Sequence, residues 1–317
     1  MKMFAKNLLA KLASAVVRKY HPLVIGITGS VGKTSAKEAI FAVLASKMSV
    51  RKSPGNYNTE FGLPAAVLGV EAPGTSLLRW FGALLRALNL LLFRNDSYPK
   101  VLVLEMAADR PGDIEFLVGI APPKIGVLTA IGPAHLERFG TIERVAVEKG
   151  KLLAALPAEG TAILNADDAR VLAMRAQTKA KVITYGFSGE AQMRISDLET
   201  KVEVEKETGL PRPIGIAFVL SYGGVSVPVR LSETAGNTQA YASAAAACVG
   251  IAAGMSLAEV ASALGLCKSP SARMNFLDGK GNILLIDDTY NASPLSVSSA
   301  ISTVKELPAT RKVAIFG

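Results

Sequence analysis

The sequence is poor in residues that build cross-links and metal cages. Only two cysteines, Cys248 and Cys267, occur in 317 residues. They are too few for a disulfide scaffold or a structural zinc site, so a reducing, cytoplasmic compartment is the simplest expectation. Histidine also occurs only twice, at His21 and His135. Charged side chains make up 19% of the chain against 50% hydrophobic ones, a balance that excludes a disordered or fibrous protein. The sequence has no internal repeat and no low-complexity segment. A prior of about 150 residues per domain gives roughly two domains, each able to bury a core.

Acids are scarce at the beginning. The chain holds 35 basic and 26 acidic residues, a formal net charge of +9, yet residues 1–52 contain ten basic groups and one acid, Glu38. The remaining 25 basic and 25 acidic residues cancel. A basic protein raises nucleic acid as a partner; charge confined to one end removes that need. Residues 1–20, MKMFAKNLLAKLASAVVRKY, predict an amphipathic helix with Phe4, Leu8, Leu12, Ala15 and Val16 along one side. Lysines interrupt every apolar run and no small-residue cleavage site follows before the strand at Leu23, which argues against a signal peptide. The helix either packs on the domain that follows or lies on a membrane surface.

The longest apolar stretch, residues 77–93, LLRWFGALLRALNLLLF, is marginal in length for a bilayer span. Arg79 and Arg86, seven apart, share one helical face inside it. A half-buried or interfacial helix fits better, and peripheral contact with a membrane stays open.

From Pro22 onward, short apolar strands alternate with helices. Strands are expected at 23–28, 101–105, 125–130, 161–165 and 181–186, with helices at 33–47, 112–119, 141–156 and 167–176. This alternation predicts an α/β fold, a doubly wound, mostly parallel sheet covered on both faces. Residues 192–231 predict a small antiparallel subsheet, followed by helices at 238–253 and 256–264 and a linker over 265–275. The strand NILLIDD, a helix over 294–306 and a strand KVAIFG then predict the start of a second Rossmann-like α/β unit. Two strands and a helix cannot close a core alone. The chain is therefore expected to be truncated at Gly317 or completed elsewhere. The expected domains are a basic helix, 1–21, a nucleotide-binding domain, 22–268, and the start of a further domain, 269–317.

The strand LVIGIT runs into Gly29-Ser30-Val31-Gly32-Lys33-Thr34-Ser35 and then a helix. Glycines let backbone N–H groups approach phosphate oxygens, and the helix N-terminus adds a positive dipole. Lys33 would reach the β- and γ-phosphates, and the Thr34 hydroxyl would ligate Mg²⁺. The strict G-x-x-x-x-G-K-[ST] pattern fails at Ile27, whereas the shorter T-G-x-x-G-K-[ST] form is intact.

Thr28 to Ser35 resembles the ATP-binding loop of the Mur ligase family, and further stretches resemble that family in the expected order over roughly residues 22–317. Glu105 ends the strand VLVLE, at the sheet edge where open α/β sheets bind ligands. It leads into a segment similar to E-x-G-A-x-x-x-G-D/E-I, with Ala107 in place of glycine. Ile131 to Glu137 resembles N-I-G-x-x-H-L-E, with Ala130 for the asparagine. The resemblance implies that Glu105 binds one Mg²⁺ and His135 a second, and that Lys149, rather than Lys151, is carbamylated into a third kind of magnesium ligand. Asn165-Ala166-Asp167-Asp168 matches a nucleotide-side turn. Residues 55–64 resemble the loop N-x-N-[TN]-E-x-G-x-P, which implies that Asn56, Asn58 and Thr59 face a UDP-sugar peptide.

Arg273, in Ser271-Ala272-Arg273-Met274-Asn275, is implied at the ATP phosphates. Asp288 and Asn291, in DDTYNASP, are implied at the base and ribose. The adenine-side stretch 235–245 departs from the pattern at Asn237, Thr238 and Tyr241. The resemblance as a whole implies ATP with two magnesium ions, acyl-phosphate chemistry, and a monomer acting on UDP-MurNAc-tripeptide and D-alanyl-D-alanine. Lys33, His135, Lys149 and Arg273 would carry the chemistry. Family members usually begin with a separate UDP-sugar domain, only about twenty residues precede the first strand here, and the last domain stops at Gly317, so the chain is expected to bind ATP yet to catalyse poorly or not at all. The alternatives are a ligase adding another amino acid, a membrane-associated NTPase, or an inactive nucleotide-binding scaffold.

Overall fold

The computed structural model describes residues 2–204, 211–267, 269–280 and 283–316, with side chains from residue 5 onward. The chain divides into two compact units, Met1–Lys33 with Leu44–Ile183, and Thr34–Val43 with Thr184–Gly317.

The first unit opens with α1 (Lys2–Tyr20), β1 (Leu23–Thr28) and the start of α2 (Lys33–Ala45). It continues through β2 (Val50–Lys52), α3 (Gly62–Leu68), α4 (Leu77–Leu92), β3 (Val101–Glu105), α5 (Asp113–Ile120) and β4 (Ile125–Leu128). It ends with α6 (Leu136–Phe139), α7 (Ile142–Ala154), β5 (Thr161–Asn165), α8 (Ala169–Ala173) and a 3₁₀ turn, Met174–Gln177, before β6 (Lys181–Gly186). The strands run β2-β3-β1-β4-β5, all parallel, with β6 beyond β5. Central strands β1 and β3 are buried along nearly their whole length, as helices on both faces of a parallel sheet require.

The N-terminal helix is docked, and its inward face is rotated from the expected one. Leu9, Ala13 and Val16 are fully buried in one core cluster with Leu63, Val67, Leu90 and Leu117, while Leu12 lies at its margin. The side chain of Phe4 lies outside the described residues. Fully burying a leucine or valine stabilises by about 1.5–3 kcal/mol each, so this face holds α1 in place.

Short α3 corrects the reading of residues 55–64 as loop alone. From Gly62 onward every residue of GLPAAVL is buried, and a uniformly buried helix has no polar face to produce a period. The expected single helix over 167–176 breaks into α8 and the 3₁₀ turn.

The second unit holds the second half of β6, β7 (Met193–Val204), β8 (Pro211–Tyr222) and β9 (Val225–Ser232), then α9 (Asn237–Ala252), α10 (Leu257–Leu264), β10 (Asn275–Asp278), β11 (Leu284–Asp287) and α11 (Pro294–Glu306). Strands β7, β8 and β9 are antiparallel, as expected. The antiparallel pair β10–β11 forms a separate two-stranded sheet. KVAIFG forms no strand over its described residues, 312–316. A strand needs a ladder partner, and Ile315 is instead 90% exposed.

Candidate functional site

The phosphate-type loop is clamped by the strand beside it. Thr129, just past β4, donates its hydroxyl to Val31 O at 2.6 Å, and Ser30 N–H donates to Ala130 O at 2.7 Å. The Ser30 hydroxyl lies 3.0 Å from both Gly132 O and Gly132 N–H. Gly32 supplies the left-handed backbone, φ 86°, from which α2 starts. Lys33 Nζ folds back onto Gly29 O at 2.8 Å and Ser30 O at 3.3 Å, so the ammonium sits over its own loop. Thr28 Oγ1 is buried beneath it without a hydrogen-bond partner.

Glu105 is buried at the end of β3, where its Oε1 accepts from Asn58 Nδ2 at 2.9 Å. Ala107 N–H in turn donates to Asn58 O at 3.0 Å. Asn58 of the polar loop is therefore tied to the Glu105 segment, while Asn56 is exposed and Thr59 half-buried. His135 caps α6 in a left-handed conformation, φ 50°. Its Nε2 lies 3.3 Å from Asp109 Oδ1 and its Nδ1 3.8 Å from Glu137 Oε1. Asn165 spends its side chain locally, Nδ2 donating to Thr129 O and Oδ1 accepting from Asp167 N–H.

Two lysines on α7 sit in contrasting environments. Lys149 is 3% exposed, and its ammonium is pushed down from 10.5 to about 7. Burial is the main cause and the charge of Lys33 the second, against the opposing pull of Asp109, Glu148 and Glu105. At neutral pH a large share of Lys149 is therefore an uncharged amine. Lys151 is paired with Glu148 at 2.8 Å and Glu115 at 3.5 Å, and its ammonium is held above the usual range by the Glu148 hydrogen bond.

In the second unit Arg273 makes a long hydrogen bond, 3.5 Å, from Nη2 to Thr34 Oγ1. Its guanidinium stacks over the Tyr290 ring at 4.1 Å, and its Nε is buried without a hydrogen-bond partner. Asp288 is raised above the usual carboxylate range by burial, against the pull of Arg273. Asn291 is exposed. The Mur ligase middle domain model matches residues 85–249.

The chain belongs to the Mur ligase family. It is similar to the UDP-N-acetylmuramoyl-tripeptide–D-alanyl-D-alanine ligase of Mycobacterium tuberculosis (strain ATCC 25618 / H37Rv), at 35% identity over 300 residues, 93% of this chain and 52% of that protein. A MurF ligase from Thermotoga maritima, solved in complex with ADP, superposes with a TM-score of 0.77 at 31% identity, covering 96% of this chain and 61% of that one. MurF from Acinetobacter baumannii shares the fold, with a TM-score of 0.78 at 24% identity, 96% of this chain and 58% of that one. The chain thus spans 52% to 61% of the length of these relatives.

Within this Mur ligase middle domain, one working residue escaped sequence reasoning. Glu148 is 3% exposed and accepts from the N–H groups of Gly112, at 3.0 Å, and Ile114, at 2.9 Å. Burial tends to raise its carboxyl, yet the Lys151 and backbone hydrogen bonds hold it below the usual range. A buried carboxylate at the start of α5 satisfies donors that a helix leaves open and ties α7, with Lys149, to the segment that carries Asp109. Its neighbour Lys149 drew attention from it in the motif. Glu148→Gln is expected to lower stability at neutral pH by about 1–3 kcal/mol, read as a lower denaturant midpoint. Because the carboxyl is depressed, that difference shrinks as pH falls below the carboxylate range.

The departures at the start of α9 have structural employment. Asn237 Oδ1 accepts from Ser299 Oγ at 3.0 Å, Thr238 Oγ1 lies 3.3 Å from the same hydroxyl, and Tyr241 packs edge-on against Phe187. These side chains join α9 to α11 and to Phe187, just past β6.

Magnesium can be tested against the donor set. Among the described residues no cluster of three His, Cys, Asp or Glu side chains could hold a metal. Glu105 and the Thr34 hydroxyl are hard oxygen donors suited to Mg²⁺, and an amine is not. Lys149 would join such donors only as a carbamate.

Proposed function

We propose that the chain is an ATP-dependent ligase that joins D-alanyl-D-alanine to UDP-MurNAc-tripeptide. The observation that carries this reading is a buried Lys149 set beside Lys33 of the clamped glycine loop, with Asp109, Glu148 and Glu105 as counter-charges. The names of the relatives supply the substrates, and the ADP complex of the Thermotoga maritima relative supports ATP.

In the proposed reaction a carboxylate oxygen of the tripeptide attacks the γ-phosphorus, and the bond to ADP breaks. The amine nitrogen of the dipeptide then attacks the acyl carbon and loses a proton as phosphate leaves. Chemistry of this kind needs positioning and charge neutralisation rather than a side-chain nucleophile. Lys33 and Arg273 would offset phosphate charge, with Gly29 to Ser35 donating backbone and hydroxyl groups. Thr34, Glu105, His135 and carbamylated Lys149 would hold two magnesium ions, which would supply further neutralisation of the phosphates. The neutral Lys149 amine would form the carbamate by attacking CO₂ at carbon and releasing one proton. Asp288 and Asn291 are read at the base and ribose, Asn165 at the nucleotide side, and Asn56, Asn58 and Thr59 at the UDP-sugar peptide. We read the protein as a cytoplasmic monomer.

The test incubates the protein with ATP, Mg²⁺ and each substrate alone and together. The proposal expects hydroxylamine to trap a hydroxamate of UDP-MurNAc-tripeptide, and the dipeptide adduct to appear by mass spectrometry when both substrates are present. ADP release that ignores both substrates would instead mark a generic NTPase. Nucleotide binding with neither product would mark a scaffold.

A further inference from the structure

Strand β4 and its ladder to β5 stop at Leu128, yet the residues just beyond are what the glycine loop rests on. Ala130 O accepts the Ser30 N–H, and Gly132 is hydrogen-bonded to the Ser30 hydroxyl. A segment past the end of its ladder needs other partners to fix its backbone. The turn after β5 supplies them from behind. Asn165 Nδ2 donates to Thr129 O at 3.0 Å, and Asp168 Oδ2 accepts the Ile131 N–H at 2.7 Å.

We propose that Asp168 is a positioning residue for the nucleotide phosphates, acting through residues 130–132 on the loop 29–35. The inference rests on the ligase reading, in which that loop carries ATP. Asp168 divides its carboxylate between two tasks. Oδ1 caps α8, accepting from Arg170 N–H at 3.0 Å and Val171 N–H at 3.1 Å, whereas Oδ2 serves Ile131. A cap needs one oxygen, and serine supplies it nearly as well. The second oxygen is what calls for a carboxylate, and its bond is the shortest of the three, as a charged acceptor gives.

One peptide plane links that bond to the loop. The Ile131 N–H held by Asp168 and the Ala130 carbonyl that receives Ser30 belong to the same planar unit, which turns as a whole. Ile131 is 3% exposed, so water does not stand ready to replace a lost acceptor. Without Asp168 a buried N–H is left unsatisfied, and rotation of the plane toward another acceptor relieves it. The same rotation carries the Ala130 carbonyl away from Ser30. Asp168 thus touches no residue of the loop in these bonds and still sets where the Ser30 backbone stands.

The experiment compares the whole wild-type protein with Asp168→Ser, which keeps an oxygen for the α8 cap and has none left for Ile131. Amide hydrogen exchange at Ser30 should quicken on the order of tenfold, while Arg170 and Val171 stay protected. Affinity for a fluorescent ATP analogue should fall about tenfold. A residue that merely caps α8 would leave Ser30 exchange unmoved. Wild-type exchange at Ser30, or wild-type affinity for the analogue, in Asp168→Ser would overturn the proposal. Should the serine variant fail to fold, Asp168→Asn takes its place, because its single oxygen serves either α8 or Ile131 but not both. Affinity should then follow protection of the Ile131 amide; affinity that follows Val171 instead would overturn the proposal. A wild-type protein that binds no ATP analogue would sink the ligase reading and this inference together, whereas equal binding by wild type and variant sinks this inference alone.

Discussion

Replacing Lys149 by methionine is expected to cut turnover sharply and to stabilise the protein near neutral pH. The two effects have one cause. A fall of the ammonium from 10.5 to about 7 corresponds to about 4–5 kcal/mol of disfavour for the charged form. Methionine matches the lysine stem in volume and carries no charge to desolvate. Glu105 and Asp109 lose a counter-charge in exchange, which offsets part of the gain and leaves a net stabilisation on the order of 1–3 kcal/mol.

Its pH dependence has a definite sign. Unfolded lysine keeps its proton up to about pH 10.5, and folded Lys149 only up to about 7, so the unfolded state binds more protons in between. Wild-type stability therefore gains from this group as pH rises through that window, with the cost fully present below about 7 and absent above 10.5. Melting curves of both proteins in CO₂-free buffer, where Lys149 is the free amine, at pH 7, 8, 9 and 10 should converge as pH rises. A difference independent of pH would show that burial, not charge, governs the site. Turnover should fall roughly 10²–10³-fold, and a carbamate signal from ¹³C-bicarbonate should appear in the wild type and be lost in the variant.

Lys149 also marks the limit of what the sequence could disclose. The strand–glycine loop–helix unit was legible, because a buried strand, a glycine loop and a helix start are local features that need no tertiary partner to be recognised. Alternating strands and helices likewise exposed the parallel sheet. The orientation of α4 was not legible: leucines at helical spacing define a stripe, but only packing decides whether the stripe or the alanines face the core. The register of α1 slipped for a similar reason, since Leu8, Leu9, Leu12 and Val16 offer two overlapping apolar faces and contacts with α3, α4 and α5 select the one containing Leu9. KVAIFG has the composition of a buried strand and no ladder partner among the described residues. Glu148 is an ordinary helix glutamate by pattern, and its role lies wholly in Gly112 and Ile114, more than thirty residues away in the chain.

Gly29→Ala is expected to be the most damaging single-methyl change in the phosphate loop. Its φ is +149°, a conformation L-residues rarely adopt, and an added Cβ would stand 2.0 Å from Thr129 Oγ1 and 3.1 Å and 3.2 Å from the backbone N and O of Ala130. Thr129 cannot swing aside freely, because its hydroxyl donates to Val31 O at 2.6 Å and lies 3.3 Å from Thr28 O. Nor can Ala130 retreat without giving up the Ser30 N–H at 2.7 Å. Relief therefore requires the loop to move away from β4, which displaces its backbone N–H groups. Backbone strain and overpacking together should cost roughly 2–4 kcal/mol, and ATP affinity should fall about 100-fold or more. Adding Thr129→Ala separates the two contributions. It removes the 2.0 Å contact but leaves the backbone of Ala130 and the φ in place, and it also gives up the clamp on Val31. The double variant should regain about half of the lost stability and little of the nucleotide affinity, measured by denaturant unfolding and by titration with a fluorescent ATP analogue. Wild-type affinity in Gly29→Ala would mean that the nucleotide does not rest on this loop, and the ligase reading would lose its foundation.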